Sequence, residues 1–158
     1  MNRLSATVAV MALAPLLAAS AAAQSANLTK DEQKNKQIVE EFWRVVLQAG
    51  HLERAKDFYA PNMVQHNPNV PTGLAGFLEF FTRVRAGKPA DPIEPTIKNH
   101  VATMVDGELV MILRRADVPE PTDASKTYEA FNFDAFRVRN EMIVEHWDAA
   151  RKPASPPR

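Results

Sequence analysis

Hydrophobic and polar positions alternate with two different periods along the chain, and the change of period divides it. From Lys30 to about Ala49 the apolar positions Ile38, Phe42, Val45 and Val46 recur at helical spacing, with Val39 and Trp43 widening the stripe. Thr29 and Glu32 form a capping box at its start, and Gly50 supplies its stop. A short second helix, Leu52 to Tyr59, ends before Pro61, because a residue preceding proline is pushed out of helical geometry. Met63 to Asn67 is short and extended, Pro68 to Gly73 turns the chain, and a third helix runs from about Leu74 to Arg85. Leu74, Phe77, Leu78, Phe81 and Val84 give that helix an aromatic inner face.

Beyond the proline-rich connection Lys88 to Pro95 the period shortens to two. Thr96–Val105 and Glu108–Arg115 flank Asp106-Gly107, a strong hairpin signal. Ala116 to Lys126 reads as a polar loop with two prolines. A last hairpin, Phe131 to Asp148, turns at Arg139 to Glu141. On its second strand Met142, Val144, His146 and Asp148 share one face, and Ile143, Glu145 and Trp147 the other. One face therefore begins apolar and ends in an imidazole and a carboxylate, as a strand does when it runs from a core into a pocket floor. Helices followed by strands predict an α+β fold, with N-terminal helices packed on the concave face of a curved antiparallel sheet and a cone-shaped cavity between them.

Composition changes this picture at its ends. Arg3, the apolar run Leu4 to Leu17 and Ala21-Ala22-Ala23 read as a secretory signal peptide cleaved after Ala23. A membrane anchor is the poorer reading, since Pro15 interrupts the run. The expected organisation is a leader over 1–23, one domain over 27–150 and a proline-rich flexible tail over 151–158. A periplasmic or secreted location follows, with no membrane attachment after cleavage. The chain has 19 basic and 19 acidic residues, and losing Arg3 with the leader leaves a net charge of −1. That balance offers no electrostatic footprint for nucleic acid. There is no cysteine, which excludes disulfide staples and thiolate chemistry.

Two motifs carry a resemblance. One is Gln65-His66-Asn67-Pro68 followed by Gly73 and Gly76-Phe77-Leu78-Glu79-Phe80-Phe81. The other is Phe133-Asp134-Ala135-Phe136-Arg137-Val138 with Ile143-Val144-Glu145-His146-Trp147-Asp148. Over roughly Asp31 to Asp148 the chain resembles the SnoaL-like, polyketide cyclase-like branch of the nuclear transport factor 2-like superfamily. Relatives often carry a glycine and a lysine in the last hairpin turn, where this chain has Glu141 and Met142. Asn140 can still adopt the left-handed conformation there.

The resemblance implies that His66 and the His146/Asp148 face converge on the cavity. A carboxylate in an apolar pocket is a usable base near neutral pH, and a nearby imidazole can donate to an oxygen that gains negative charge. Asp148 is thus the expected base, with His66 and His146 polarising or orienting groups. The reaction implied is a cofactor-free aldol-type cyclisation, cleavage or isomerisation of a small apolar or aromatic carbonyl compound. Asn67, Tyr59, Phe77, Phe81, Phe133 and Trp147 are the expected substrate-binding residues, and Trp43 core or cavity wall. Blander roles compete. Asp148 could cap the strand end or pair with Arg151, and Asn67 could tie down its own turn. Asp134 and Asn132 share a face of the preceding strand and either could enter the pocket, but Asp134 is assigned to a structural pair with Arg137 or a helix terminus. His51 and His100 are expected to be structural or solvated. His66, His146 and Asp148 also have the composition of a metal-binding triad, although no metal is expected. A non-catalytic ligand-binding domain is the rival class, and an open sheet face carrying Ile143 and Trp147 would suit a homodimer.

Overall fold

The computed structural model describes residues 27–152. The leader and the tail from 153 onward lie outside the described residues. Helix α1 spans Lys30–Phe42. Thr29 Oγ1 accepts from the Glu32 N–H at 3.2 Å, and Glu32 accepts from the Thr29 N–H at 2.9 Å. Glu32 also accepts from the Gly107 N–H at 3.1 Å, which ties the start of the helix to a sheet turn. Those backbone donors, Thr29 first, hold the Glu32 carboxyl below the usual carboxylate range.

The periodicity predicts one helix to Ala49, but its last part, Trp43–Gln48, is a π-helix. The Ala49 N–H reaches back five residues to the Arg44 carbonyl at 3.0 Å. The wider turn is packed on two sides, by the sheet and by the connection after the third helix. Gln48 donates to the Thr96 carbonyl at 3.1 Å and accepts from the Lys98 N–H at 2.8 Å. π-turns inside helices occur often at functional sites, and this one places Trp43, Leu47 and Gln48 on a cavity wall.

A 3₁₀ segment, Leu52–Asp57, replaces the second α-helix, and the chain enters strand β1 at Tyr59 (Tyr59–Gln65). Tyr59 is therefore a strand residue rather than a helical one. β1 pairs in parallel with the last strand, Tyr59 opposite Ile143 and Val64 opposite Glu145, with an irregularity between. Pro61 falls within that irregular stretch, where the missing N–H breaks no ladder. Helix α2 runs Gly73–Arg85 and ends at Ala86 in the left-handed region.

The remaining strands are β2 (His100–Asp106), β3 (Leu109–Glu120), β4 (Asp123–Arg139) and β5 (Met142–Asp148), in the sheet order β1-β5-β4-β3-β2. The expected loop after Ala116 is instead paired strand, with Ala116 opposite Ala130 and Val118 opposite Tyr128. β2 pairs with β3 only as far as Arg114, so β3 is an edge beyond that point and tolerates Pro119. The core lies between the helices and one face of the sheet, with Val39, Phe42 and Val46 against Val110, Ile112, Phe136, Val138 and Ile143. Phe42 is its hub, with ring centroids 4.5 Å from Tyr59, 5.8 Å from Phe136 and 6.0 Å from Phe77.

One face assignment on β5 is corrected. Val138 faces Ile143, yet Arg137 faces Glu145, so β5 carries an extra residue at a β-bulge. The bulge turns Ile143 into the core, fully buried, while His146 and Asp148 keep the same inward face.

Candidate active site

Inward positions of the strands and two helical segments line a cavity of about 380 Å³. Trp43, Leu47, Val70, Phe77, Phe80 and Phe81 make its apolar wall. Its polar end is built by the sheet: Tyr59, Gln65 and Asn67 around β1, Arg114 on β3, Asp134 on β4, and His146 and Asp148 on β5. Asp134 lies directly opposite Asp148, and Phe136 opposite His146. A neighbouring hollow of about 310 Å³ shares Arg114, Asp134 and Asp148, which therefore stand where the two spaces adjoin.

Asp148 is held at both oxygens. One accepts from Asn67 Nδ2 at 2.6 Å and the other from the Ala150 N–H at 2.8 Å. Asn67 also accepts from the Asn69 N–H at 2.8 Å, so the same side chain ties its turn and donates to the carboxylate. The pairing of Asp148 with Arg151 is not formed; the Arg151 carbonyl accepts from Asn69 instead.

The His146 ring is almost fully buried and stacks on Phe136 with centroids 4.7 Å apart. Gln65 Oε1 accepts from the Asn67 N–H at 2.9 Å, which fixes the orientation of that amide. The same oxygen lies 2.9 Å from His146 Nδ1, so Nδ1 carries a proton and donates. His146 Nε2 lies 3.4 Å from Asp134 Oδ1. His146 and Asp134 thus stand together beside Asp148.

The Tyr59 ring is buried, its phenol borders the cavity, and its hydroxyl has no hydrogen-bond partner among the described residues. Burial pushes the phenol well above its ordinary pKa, and the charges of Asp134 and Asp148 push it the same way. Tyr59 thus remains a neutral O–H donor across the physiological range.

The structure brings Asp148, His146, Asn67, Tyr59, Phe77 and Phe81 to one cavity. His66, Phe133 and Trp147 are not part of that lining, although Phe133 borders the adjoining hollow beside Asp134 and Asp148. His66 stacks on Trp147, with centroids 4.8 Å apart and planes 3° apart, and its Nε2 lies 3.3 Å from Glu145. Phe133 is 46% exposed. All three belong to the outer face of the sheet. Met63 is fully buried, so the strand period turns Gln65 and Asn67 inward and His66 outward. Asp134 is corrected as well, because it faces the cavity while Arg137 pairs with Glu145 at 2.6 Å. Gln65 and Arg114 are site residues that the sequence reading missed, and Asp134 is one that it weighed for the pocket but assigned to a structural pair. Counting by two from Met63, Phe136 and Ile112 finds each of them. His51 and His100 lie away from the cavity and make local contacts, with Glu53 at 3.2 Å and Thr103 at 2.8 Å.

The metal-binding triad with His66 is not assembled. Asp134, His146 and Asp148 offer ligand atoms within 4.8 Å of one another instead. The Arg114 guanidinium, 4.0 Å from Asp134, already draws on one of those carboxylates.

A helix-covered sheet with a cavity between the layers and carboxylates at its polar end defines an α+β pocket protein of the nuclear transport factor 2-like kind. Residues 39–146 match the SnoaL-like domain, and the chain belongs to that family. A candidate polyketide cyclase from Acidithiobacillus ferrooxidans is 22% identical, with TM-score 0.51 over 77% of this chain and 89% of that one. A candidate SnoaL-like polyketide cyclase from Jannaschia sp. CCS1 is 14% identical, with TM-score 0.55 over 78% and 90%. An epoxide hydrolase from Mycobacterium tuberculosis is 15% identical, with TM-score 0.53 over 77% and 81%. At these identities the likeness is one of fold. No curated protein sequence matches the chain.

Proposed function

We propose that this SnoaL-like protein is a cofactor-independent enzyme that removes a proton next to a carbonyl of a small apolar or aromatic substrate, as an aldol-type cyclase, lyase or isomerase does. One observation carries the reading: the Asp148 carboxylate, anchored by Asn67 and the Ala150 N–H, shares an apolar-walled cavity with the Tyr59 hydroxyl, which has no hydrogen-bond partner among the described residues. Asp148 takes the α-proton. Tyr59 donates to the carbonyl oxygen as negative charge develops on it, and the His146 imidazole, oriented by Gln65, stands at the same end. The names of the structural neighbours support this class of chemistry. The leader read from the sequence makes export to the periplasm or beyond part of the proposal. A homodimer formed through the outer sheet face is another part.

The test uses 2-tetralone, an aromatic-fused ketone with acidic α-protons, in deuterium oxide. Wild type should exchange those protons above the buffer rate, and Asp148→Asn should lower the enzymic rate about 100-fold or more. His66→Ala, on the outer face, should leave it unchanged. Equal rates for wild type and Asp148→Asn would remove the base. Saturable ligand binding without exchange would favour the rival reading, a binding domain whose apolar wall holds a ligand without turnover.

A further inference from the structure

Arg114 is the side chain that the proposed proton abstraction does not use. It sits on the inward face of β3, two residues beyond buried Ile112, and lines both the main cavity and the adjoining hollow. Its guanidinium carbon lies over the Trp43 ring, 4.2 Å from the centroid, which sets the fork against an aromatic surface. Among the described residues the side chain makes no hydrogen bond. Its Nε is buried without a partner. The nearest carboxylate, Asp134, stands at 4.0 Å, too far for a hydrogen bond, and its other oxygen is engaged by His146.

A guanidinium presents five N–H donors in a rigid plane and keeps its charge when partly buried. Leaving such a group short of acceptors is costly. A side chain held in this way is set for a planar, anionic, two-oxygen partner. The cavity supplies the surroundings: aromatic rings along one wall, and a second cation, Lys98, lining the same space.

We infer that Arg114 is the specificity-determining residue of this site and that it anchors a carboxylate or enolate oxygen of an aromatic or otherwise apolar acid. The substrate class narrows from apolar carbonyl compounds to those bearing an acidic oxygen. The inference rests on the proposed function for its choice of site, but it is a statement about binding and can fail or hold separately from turnover.

Calorimetric titration of the wild-type protein with 2-naphthoate and its neutral counterpart 2-naphthamide tests it. A second arm compares 2-hydroxy-1,4-naphthoquinone, an acidic enol, with 1,4-naphthoquinone, and so distinguishes a carboxylate from an enolate partner. At least one acidic ligand should bind about tenfold or more tighter than its neutral counterpart. Arg114→Gln should abolish that preference while leaving the affinity for the neutral compound in place, which also shows that the variant is folded. Arg114→Lys should restore part of the preference, and Lys98→Gln should keep it. Absence of a preference in both arms, including absence of binding, overturns the inference. So does a preference that survives Arg114→Gln or disappears in Lys98→Gln. A protein that prefers the acids but exchanges no α-protons refutes the proposed reaction and leaves the anchor standing. One that exchanges protons without the preference does the reverse.

Discussion

Tyr59 shows how much one residue position can combine. Its ring fills the core, 4.5 Å from Phe42 and 4.9 Å from Phe77, while its hydroxyl belongs to the cavity. Tyr59→Phe keeps the first role and removes the second. It should slow α-proton exchange by about 100-fold, the usual cost of one donor to a developing oxyanion, with little change in ligand affinity. It should also change the alkaline limb of stability. The folded-state pKa of this phenol is raised by burial, so its contribution is complete below the pKa of an unfolded tyrosine, about 10, and is lost as pH rises toward the folded value. Wild type should therefore lose urea resistance above about pH 10 more steeply than Tyr59→Phe. The chemical identities at this scale were partly legible. Alternation placed His146 and Asp148 on one face because two residues always return to the same side of a strand. It also excluded His66, once the buried neighbour Met63 set the phase. That phase is invisible in Met63-Val64-Gln65-His66-Asn67, where apolar residues occupy both faces.

At the scale of elements, turn chemistry was readable and bulges were not. The last hairpin turns on Asn140 and Glu141, with φ of 48° and 64°. Asn tolerates the left-handed region, whereas a long side chain at that position costs about 1–2 kcal/mol. The compensation visible is an ion pair between Glu141 and Lys34, both exposed, which contributes little. Glu141→Gly should therefore stabilise the fold by about 0.5–1 kcal/mol, read as a higher urea midpoint at unchanged slope. An unchanged or lower midpoint would mean that the ion pair matters more than the backbone does. The bulge two residues later had no comparable signal. Met142-Ile143-Val144 is apolar throughout, so nothing in the residue types says that Ile143 and His146, three apart, both point inward. The π-helical turn at Trp43–Gln48 is likewise a response to packing against the Glu94–Lys98 connection. Local propensity does not encode it.

For the whole molecule, burying one sheet face in the core leaves the other to be accounted for. Phe131 and Phe133 on β4 are 48% and 46% exposed, and Val64 and Leu109 extend the apolar surface across neighbouring strands. Trp147 lies on the same face, stacked by His66 and approached by the Arg137 guanidinium at 5.5 Å. Exposed aromatics set beside an arginine are typical of the centre of a protein interface rather than of open surface. A sheet face is also suited to self-association, because a two-fold axis lays the same residues of two copies against each other. The prediction is a dimer by sedimentation equilibrium at micromolar concentration and a monomer for Phe133→Lys, since two like charges would then face each other in an apolar setting. Phe133 is not part of the main cavity's lining, so the monomeric variant should keep its affinity for a ligand held there. If Phe133→Lys remains dimeric, the contact lies elsewhere, and the long β3–β4 hairpin, unpaired by β2 beyond Arg114, is the next surface to charge. If wild type is monomeric at all concentrations, the exposed rings await a different partner.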